Sequence, residues 1–381
     1  MSAVMLIYSK FTKNNFVEKL AVIIDQLENL APPSYQESYD NCGLITGSRD
    51  MNITGAVVCL DSTEAILDEA IANGCNLVIA HHPIVFSGIK KLNGKNYVER
   101  IIIKAIKNDI AIYAIHTNLD NVRHGVNKAI CDRIGLKNTF ILSPKAGLLK
   151  KLVTYCPNDI LETVKTALFA AGAGTIGNYD ECSFSINGTG TFRGNEFSKP
   201  VIGTPNQRHT GPEERIEVIF ESHKTNAILK ALRQAHTYEE IAFDVYSLDN
   251  QYNEVGSGMI GELESGISTK EFLSLLKNTM KTGCIRHTET SKNSIKKVAV
   301  CGGSGSFLLP EALKAGADAF VTADFKYHQF FDGDGKLLIA DIGHYESEQF
   351  TKELIYNFLN RNFTTFALRL SELNTNPINY F

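Results

Sequence analysis

The feature that most constrains this chain is a strict alternation of strand-like and helix-like segments that occurs twice, with residues 149–248 of different character between the two runs. In the first run ITGAVVCLD (53–61) reads as a strand and STEAILDEAIANG (62–74) as a helix closed by Gly74. NLVIAHH (76–82) is a strand, NYVERIIIKAIKNDI (96–110) a helix, AIYAIHTNLD (111–120) a strand and GVNKAICDRIGL (125–136) a helix. Near the C-terminus SIKKVAVCGGSGS, PEALKAGADAFVTAD, KLLIADIGHYESE and FTKELIYNFLN repeat the alternation. Strands separated by helices require crossover connections, which are right-handed and build a mostly parallel sheet covered on both faces. The expectation is an α/β fold, a two-lobed, mostly parallel sheet domain with helices on both faces. The two runs are expected to be halves of one sheet.

Ahead of the first run, residues 15–30 place apolar side chains at helical spacing, with Asn14 or Asn15 as cap and Pro32-Pro33 as stop. Between the runs the order is LKKLVTYCP, a helical DILETVKTALFAAG, ECSFSINGTGTF, a Gly/Pro-rich loop through GTPNQRHTGPEE, RIEVIFES, a helical NAILKALRQAH and IAFDVYSLD. This β-α-β-β-α-β order is that of a ferredoxin-like α+β unit. The expected organisation is a first half over 1–148, an inserted ferredoxin-like domain over 149–250, and a second half over 251–381. A length of 381 residues is enough for about two to three domains.

Composition removes several function classes. The formal net charge of -4 and a pI near 6.2 do not suit a chain that coats nucleic acid or an anionic membrane. The opening MSAVMLIYSK has no basic n-region or cleavage pattern, and no apolar run approaches the length of a membrane span. The eight cysteines show no C-x-x-C spacing. They read as reduced, buried thiols of a cytoplasmic protein rather than as zinc ligands.

Three segments carry chemistry. NLVIAHHPIVF is an apolar strand that ends in His81 and His82 and is stopped by Pro83. Ligands of α/β sheets collect beyond the carboxyl ends of the strands, where two imidazoles could each take one metal of a close pair. A strand-end histidine is as readily satisfied by a backbone carbonyl. AIYAIHTNLDN brings His116 and Asp120 to the next strand end, although Asp120 could instead cap the following helix. KLLIADIGHYESEQF carries His344 and Glu348 four residues apart, on one face of a helix start, where Glu348 could bridge two metals and the bland alternative is a capping or surface pair. Together these donors form a mixed N/O set suited to two divalent ions of zinc, iron or manganese.

The segments YDNCGLITG, AHHPIVF, IHTNLDN, DAFVTADFKYH and GHYESE, in that order, resemble the Nif-three-like dinuclear-metal hexamer proteins, commonly labelled GTP cyclohydrolase 1 type 2 homologues. The resemblance implies that His81, His82, Asp120, His344 and Glu348 hold two metal ions per subunit. It also implies a proton-transfer or catalytic role for His116, a substrate-binding role for His328, and a ring-like homohexamer. The middle segment resembles the PII-like insertion of longer family members, with HTYEEIAFDVYSL as its closing motif. His236 and Glu239-Glu240 could bind a ligand there, but packing is the simpler use.

VAVCGGSGS could form an anion-binding nest, yet it completes neither a Walker loop nor a dinucleotide fingerprint and reads better as a tight strand-to-helix turn. Lys90, Lys91 and Lys95 could draw in a phosphorylated substrate or belong to a solvated loop, and Arg193 and Lys199 stay open in the same way. The functional expectation is a metal-dependent hydrolase, GTP cyclohydrolase-like or cleaving a phosphoester, acting on a nucleotide or other phosphorylated small molecule. The alternative is a metal-sensing, metal-storing or regulatory assembly whose inserted domain binds a partner or effector.

Overall fold

The computed structural model describes residues 17–381. The expected caps Asn14 and Asn15 and the opening MSAVMLIYSK lie outside the described residues. The first helix runs Leu20–Leu30 and buries Leu20, Ile23, Ile24 and Leu27, the i, i+3, i+4, i+7 stripe that its sequence spells. The chain divides into two compact units, one made of Glu254–Phe381 with the described residues up to Ser143, the other Pro144–Asn253.

The first unit contains two sheets. One is five-stranded, in the order Leu368–Leu370, Ala56–Asp61, Leu77–His82, Ala111–Ala114, Gly43–Thr46. The first four strands are parallel and the last is antiparallel. Val57, Cys59, Val78, Ala80 and Ile112 pack on Ile66, Leu67 and Ala70 of the Glu64–Ala72 helix and on Ile101, Ile102 and Ala105 of the Tyr97–Lys107 helix. The alternate residues Val58, Leu77, Ile79 and Tyr113 are buried on the other face, where the Thr351–Asn362 helix packs. Burial on both faces is why these strands read as continuous apolar runs, each buried Val or Ile contributing roughly 1.5–3 kcal/mol. In this register Asp61 lies beside His82, so both side chains reach the same end of the sheet.

The second sheet is six-stranded, in the order Arg286–His287, Leu338–Asp341, Ala319–Ala323, Ile295–Ser304, Gln251–Ile267, Lys137–Ala146. Its parallel core is Ile295–Ser304, Ala319–Ala323 and Leu338–Asp341. Ala299, Phe320 and Ile339 pack with Leu308, Leu309 and Ala312. The two alternating runs are therefore not halves of one sheet. Gln251–Ile267 pairs antiparallel with Ile295–Ser304, and Arg286–His287 pairs antiparallel with Leu338–Asp341, so both flanks of that parallel core are covered. The Gln251–Ile267 strand escapes a sequence reading because Gly256, Gly258, Gly261 and Gly266 interrupt its apolar alternation.

A second correction concerns AIYAIHTNLD. Its strand ends at Ala114, and Thr117–Asn121 forms a short helix that carries Asp120. The chain turns at His116, whose N–H donates to Asn118 Oδ1 at 2.9 Å, while Thr117 N–H donates to Asp40 Oδ2 at 3.0 Å. Side-chain acceptors thus replace the ladder partners that a longer strand would need.

The Pro144–Asn253 unit follows the order strand Leu149–Cys156, helix Leu161–Ala170, strands Ser183–Phe192 and His209–Glu221, helix Thr225–Ala235, strand Phe243–Leu248. Its four strands are antiparallel in the order Phe243–Leu248, Leu149–Cys156, His209–Glu221, Ser183–Phe192. Leu152, Ile216, Val218 and Phe220 meet Val164, Leu168, Ile228 and Leu232 of the two helices. The segment HTGPEE, expected as loop, is the first half of a strand. Pro212 is tolerated there because it lies beyond the end of Leu149–Cys156, where its strand has a single neighbour. Among the described residues no helix is long and apolar enough to cross a membrane.

Candidate metal centre

Alternation along the Leu77–His82 strand sends His81 and His82 to opposite sides of the chain at its carboxyl end. His81 is fully buried, and its Nδ1 lies 2.8 Å from the Ile115 carbonyl. His82 Nδ1 lies 2.7 Å from Asp61 Oδ1, His116 Nδ1 lies 2.8 Å from Asp40 Oδ1, and His344 Nδ1 lies 2.7 Å from Asp324 Oδ2. Each Nδ1 therefore donates its hydrogen to a carbonyl or carboxylate. That orients each ring and keeps Nδ1 occupied, so Nε2 is the nitrogen left to take a metal, the arrangement that metal-ligating histidines use.

The Nε2 atoms converge with two carboxylates. His82 Nε2 is 2.9 Å and His344 Nε2 is 3.1 Å from Glu348 Oε2, and the two imidazole nitrogens are 3.4 Å apart. His81 Nε2 is 3.6 Å from Asp120 Oδ1 and 3.9 Å from Glu348 Oε2. Both His81 Nε2 and Asp120 Oδ1 are buried without a hydrogen-bond partner. Such atoms cost on the order of 1–3 kcal/mol each unless something satisfies them. Two donors held about 2.1 Å from one tetrahedral cation lie about 3.4 Å apart; the His82–His344, His81–Asp120 and His81–Glu348 spacings suit a shared cation, whereas His82 and His344 contact Glu348 directly. The donors fall into the sets His82, His344, Glu348 and His81, Asp120, Glu348, with Glu348 common to both, and a third set joins His116 to His81 and His82. Residues of this kind fit divalent metal ions.

The proton affinities of the cation-free cluster reflect the same crowding. Burial pushes His81 down to about 4 against the pull of Glu348. For His82 burial acts in the same direction, but the hydrogen bonds to Asp61 and Glu348 outweigh it and raise the group to about 9. His344, likewise opposed by burial, is raised to about 11 by the Glu348 charge and the Asp324 hydrogen bond. Burial and the neighbouring Glu348 charge push Asp120 well above the usual carboxylate range. Burial opposes ionisation of Glu348 too, yet the His344 charge and the histidine hydrogen bonds hold it well below that range. Protons on these histidines occupy the positions that metal ions would take, and metal binding releases them.

Gly302 and Gly303 complete the wall. A Cβ on Gly303, which has φ +60°, would come within 2.5 Å of Glu348 Oε1, and one on Gly302 within 3.4 Å of Glu348 Cγ. Their amides are already used: Gly303 N–H donates to Ser347 Oγ at 2.9 Å and Gly302 N–H to Asn127 Oδ1 at 3.0 Å. The VAVCGGSGS segment thus gives room to the carboxylate and does not cradle an anion. Sequence reasoning missed this, and it missed Asp40, Asp61 and Asp324 as the groups that orient the histidines. The available signal was an aspartate at or beside a strand end facing each histidine segment.

The cluster opens into a cavity of about 1020 Å³ lined by His82, His116, Asp120, His344 and Glu348. His328 lies on the exposed Tyr327–Gly333 turn, stacks edge-on with Tyr327 and does not line this cavity. Lys90, Lys91 and Lys95 sit on an exposed loop outside it. In the other unit Arg193 and Lys199 are exposed, and Glu239 Oε2 accepts the Lys199 N–H at 2.7 Å. His236 Nδ1 accepts the Tyr238 N–H at 3.0 Å, so Nε2 donates to the Tyr155 carbonyl at 2.9 Å. Both nitrogens are spent on structure. Asp120 does not cap the Val126–Ile134 helix, whose N-cap is Gly125.

The model of the Duf34/NIF3 (NGG1p interacting factor 3) family matches residues 18–377. The chain belongs to the DUF34/NIF3 family. Among its DUF34/NIF3 relatives, the GTP cyclohydrolase 1 type 2 homolog of Bacillus subtilis is 36% identical over 364 residues, covering 94% of this chain and 97% of its own length. The protein of that name from Halalkalibacterium halodurans is 39% identical over 325 residues, covering 84% of this chain and 87% of its own. The crystal structure of a Bacillus cereus protein related to NIF3 superposes with a TM-score of 0.84 at 35% identity, covering 96% of this chain and all of the other (100%).

Proposed function

We propose that this DUF34/NIF3 chain is a dinuclear divalent-metal hydrolase acting on a nucleotide or related small molecule. The observation that carries the reading is the convergence of four histidines and the carboxylates of Asp120 and Glu348 at one large cavity, with two of their atoms, His81 Nε2 and Asp120 Oδ1, buried and unpartnered. In the proposed centre His81, Asp120 and Glu348 hold one ion, His82, His344 and Glu348 hold the other, and zinc, iron or manganese would suit the donors. Bound there, a metal pair would lower the pKa of a water and polarise a substrate oxygen.

The chain's own residues set up the remainder. Asp61, Asp324 and the Ile115 carbonyl keep the imidazoles in the ligating tautomer. His116, oriented by Asp40 and lining the cavity, is placed to carry a proton to or from substrate. His328 is not needed for this scheme. The name shared by the relatives supports hydrolytic opening of a purine ring over phosphoester cleavage. The resemblance further supports a homohexameric, cytoplasmic protein, and the strand order of the Pro144–Asn253 unit agrees with a PII-like insertion at 149–250.

The test is depletion of individual compounds from a nucleotide and metabolite mixture by remetallated wild type beside Asp120→Ala. Consumption by wild type alone is expected. A wild type that holds its metals and consumes nothing would reject the hydrolase and leave the metal-sensing or metal-storing assembly in its place.

A further inference from the structure

The cavity is also walled by large apolar side chains, of which Phe86 meets His116 of the metal end edge-on, ring centroids 5.6 Å apart. Tyr39, Phe86, Tyr97 and Phe307 line it and are 68%, 54%, 62% and 60% exposed, and Ile84 and Ile378 lie among them. Scattered exposed apolar residues need no explanation, but several aromatic rings in one cleft mark a surface that binds something flat and apolar.

The charge of the lining points the same way. Among the described residues the cavity is lined by no lysine and no arginine, whereas Asp61 and Glu64 lie beyond the ligand carboxylates. Phosphate groups are held by Arg or Lys side chains or by open helix N-termini. Gly302 and Gly303 have spent their amides, the Thr63 hydroxyl accepts the Ile66 N–H at 3.3 Å at the start of the Glu64–Ala72 helix, and Asp40 occupies the start of Thr117–Asn121. Among the described residues, what the lining offers an anionic oxygen is the imidazoles of the metal end, neutral hydroxyls such as that of Ser62, and the metal pair that would be held there.

We infer that the cavity selects a molecule that lays an uncharged planar ring on the aromatic wall and presents one carbonyl or carboxylate oxygen to the metal end, in preference to a nucleoside triphosphate. The inference rests on the proposed hydrolase only for the position of the metals. It places selection in the ring and against the phosphate tail.

The experiment is equilibrium binding of guanosine, GMP and GTP to the full chain, with and without manganese, and with metal content measured on the same samples. Across these probes the ring is constant and only the charge rises. Affinity is expected to fall at least tenfold from guanosine to GTP in the metal-free protein. Phe307→Ala, at an exposed position, should weaken guanosine at least fivefold without changing metal content. Ile378→Lys, which adds a cation to the wall, should strengthen GTP at least tenfold relative to guanosine. GTP binding tighter than guanosine, an unaffected Phe307→Ala, or no binding of any probe would overturn the inference. Loss of the metals with ring binding retained would instead sink the hydrolase reading alone.

Discussion

His81 and His236 are both buried histidines at the ends of regular elements, one in each unit, and they differ in what their second nitrogen does. His236 gives Nε2 to the Tyr155 carbonyl and takes the Tyr238 N–H on Nδ1, so the ring is complete within its own fold. His81 gives Nδ1 to the Ile115 carbonyl and leaves a buried Nε2 without a partner, aimed at Asp120 and Glu348. Buried polar atoms are almost always satisfied. A buried histidine with half its capacity unused therefore marks a site, and one with both nitrogens used marks a scaffold.

That contrast is open to direct attack. The largest expected effect is that of Glu348→Ala, which removes the one carboxylate common to both donor sets. Both ions should be lost by elemental analysis while the secondary structure by circular dichroism stays. Retention of a full metal complement would break the comparison at its centre. Next come Asp61→Ala and Asp324→Ala, which leave every proposed ligand in place and release the ring that each aspartate orients, together with the hydroxyls of Thr375 and Ser304 respectively. Loss of such partners weakens metal sites by about 10- to 100-fold. Chelator competition should show that range, and an unchanged affinity would mean that the two aspartates are ordinary surface acids.

How much of this was legible in the sequence depends on the range over which each feature is encoded. The Leu77–His82 strand and its terminal histidines are a local apolar run with an abrupt polar stop, and the structure reproduces them. The H-x-x-x-E spacing likewise fixes His344 and Glu348 on one short helix. Asp120 was expected at a strand end, but its segment turns into a short helix where the neighbouring Asn118 and the distant Asp40 supply side-chain acceptors. The split into two sheets was not legible. It depends on pairing between Gln251–Ile267 and Ile295–Ser304, a contact between segments whose separate patterns do not announce each other. Gly303 looked like loop punctuation, and only the folded chain shows that Glu348 needs the space.

On the scaffold side, His236→Ala would leave the Tyr155 carbonyl and the Tyr238 N–H without their partner. We expect a destabilisation of roughly 1–3 kcal/mol by denaturant titration, with metal content unchanged. A drop in metal content would mean that the two histidines are not the different kinds of group described. The smallest effect concerns acid stability in the first unit. Burial acts to raise Asp318, but the N–H groups of Lys297 and Lys296 and the Lys292 charge hold it below its ordinary 3.8. A depressed carboxyl stabilises the fold above its ordinary value, and that contribution is lost as pH falls through the folded value. Asp318 is partly buried and accepts two backbone N–H groups, one of which an amide oxygen can keep, so Asp318→Asn should cost about 1 kcal/mol at neutral pH. The wild type should approach the variant as pH falls below 3.8, whereas a gap that widens in acid would reverse the sign of the account.

The central claim is that His81, His82, Asp120, His344 and Glu348 are built to hold a pair of ions. Elemental analysis of the remetallated full chain, purified without chelator, addresses this most directly. The account predicts two divalent ions per chain, both displaced as the solution is acidified because His81, His82 and His344 must then take up protons. A wild-type chain that retains fewer than one ion under these conditions would contradict it.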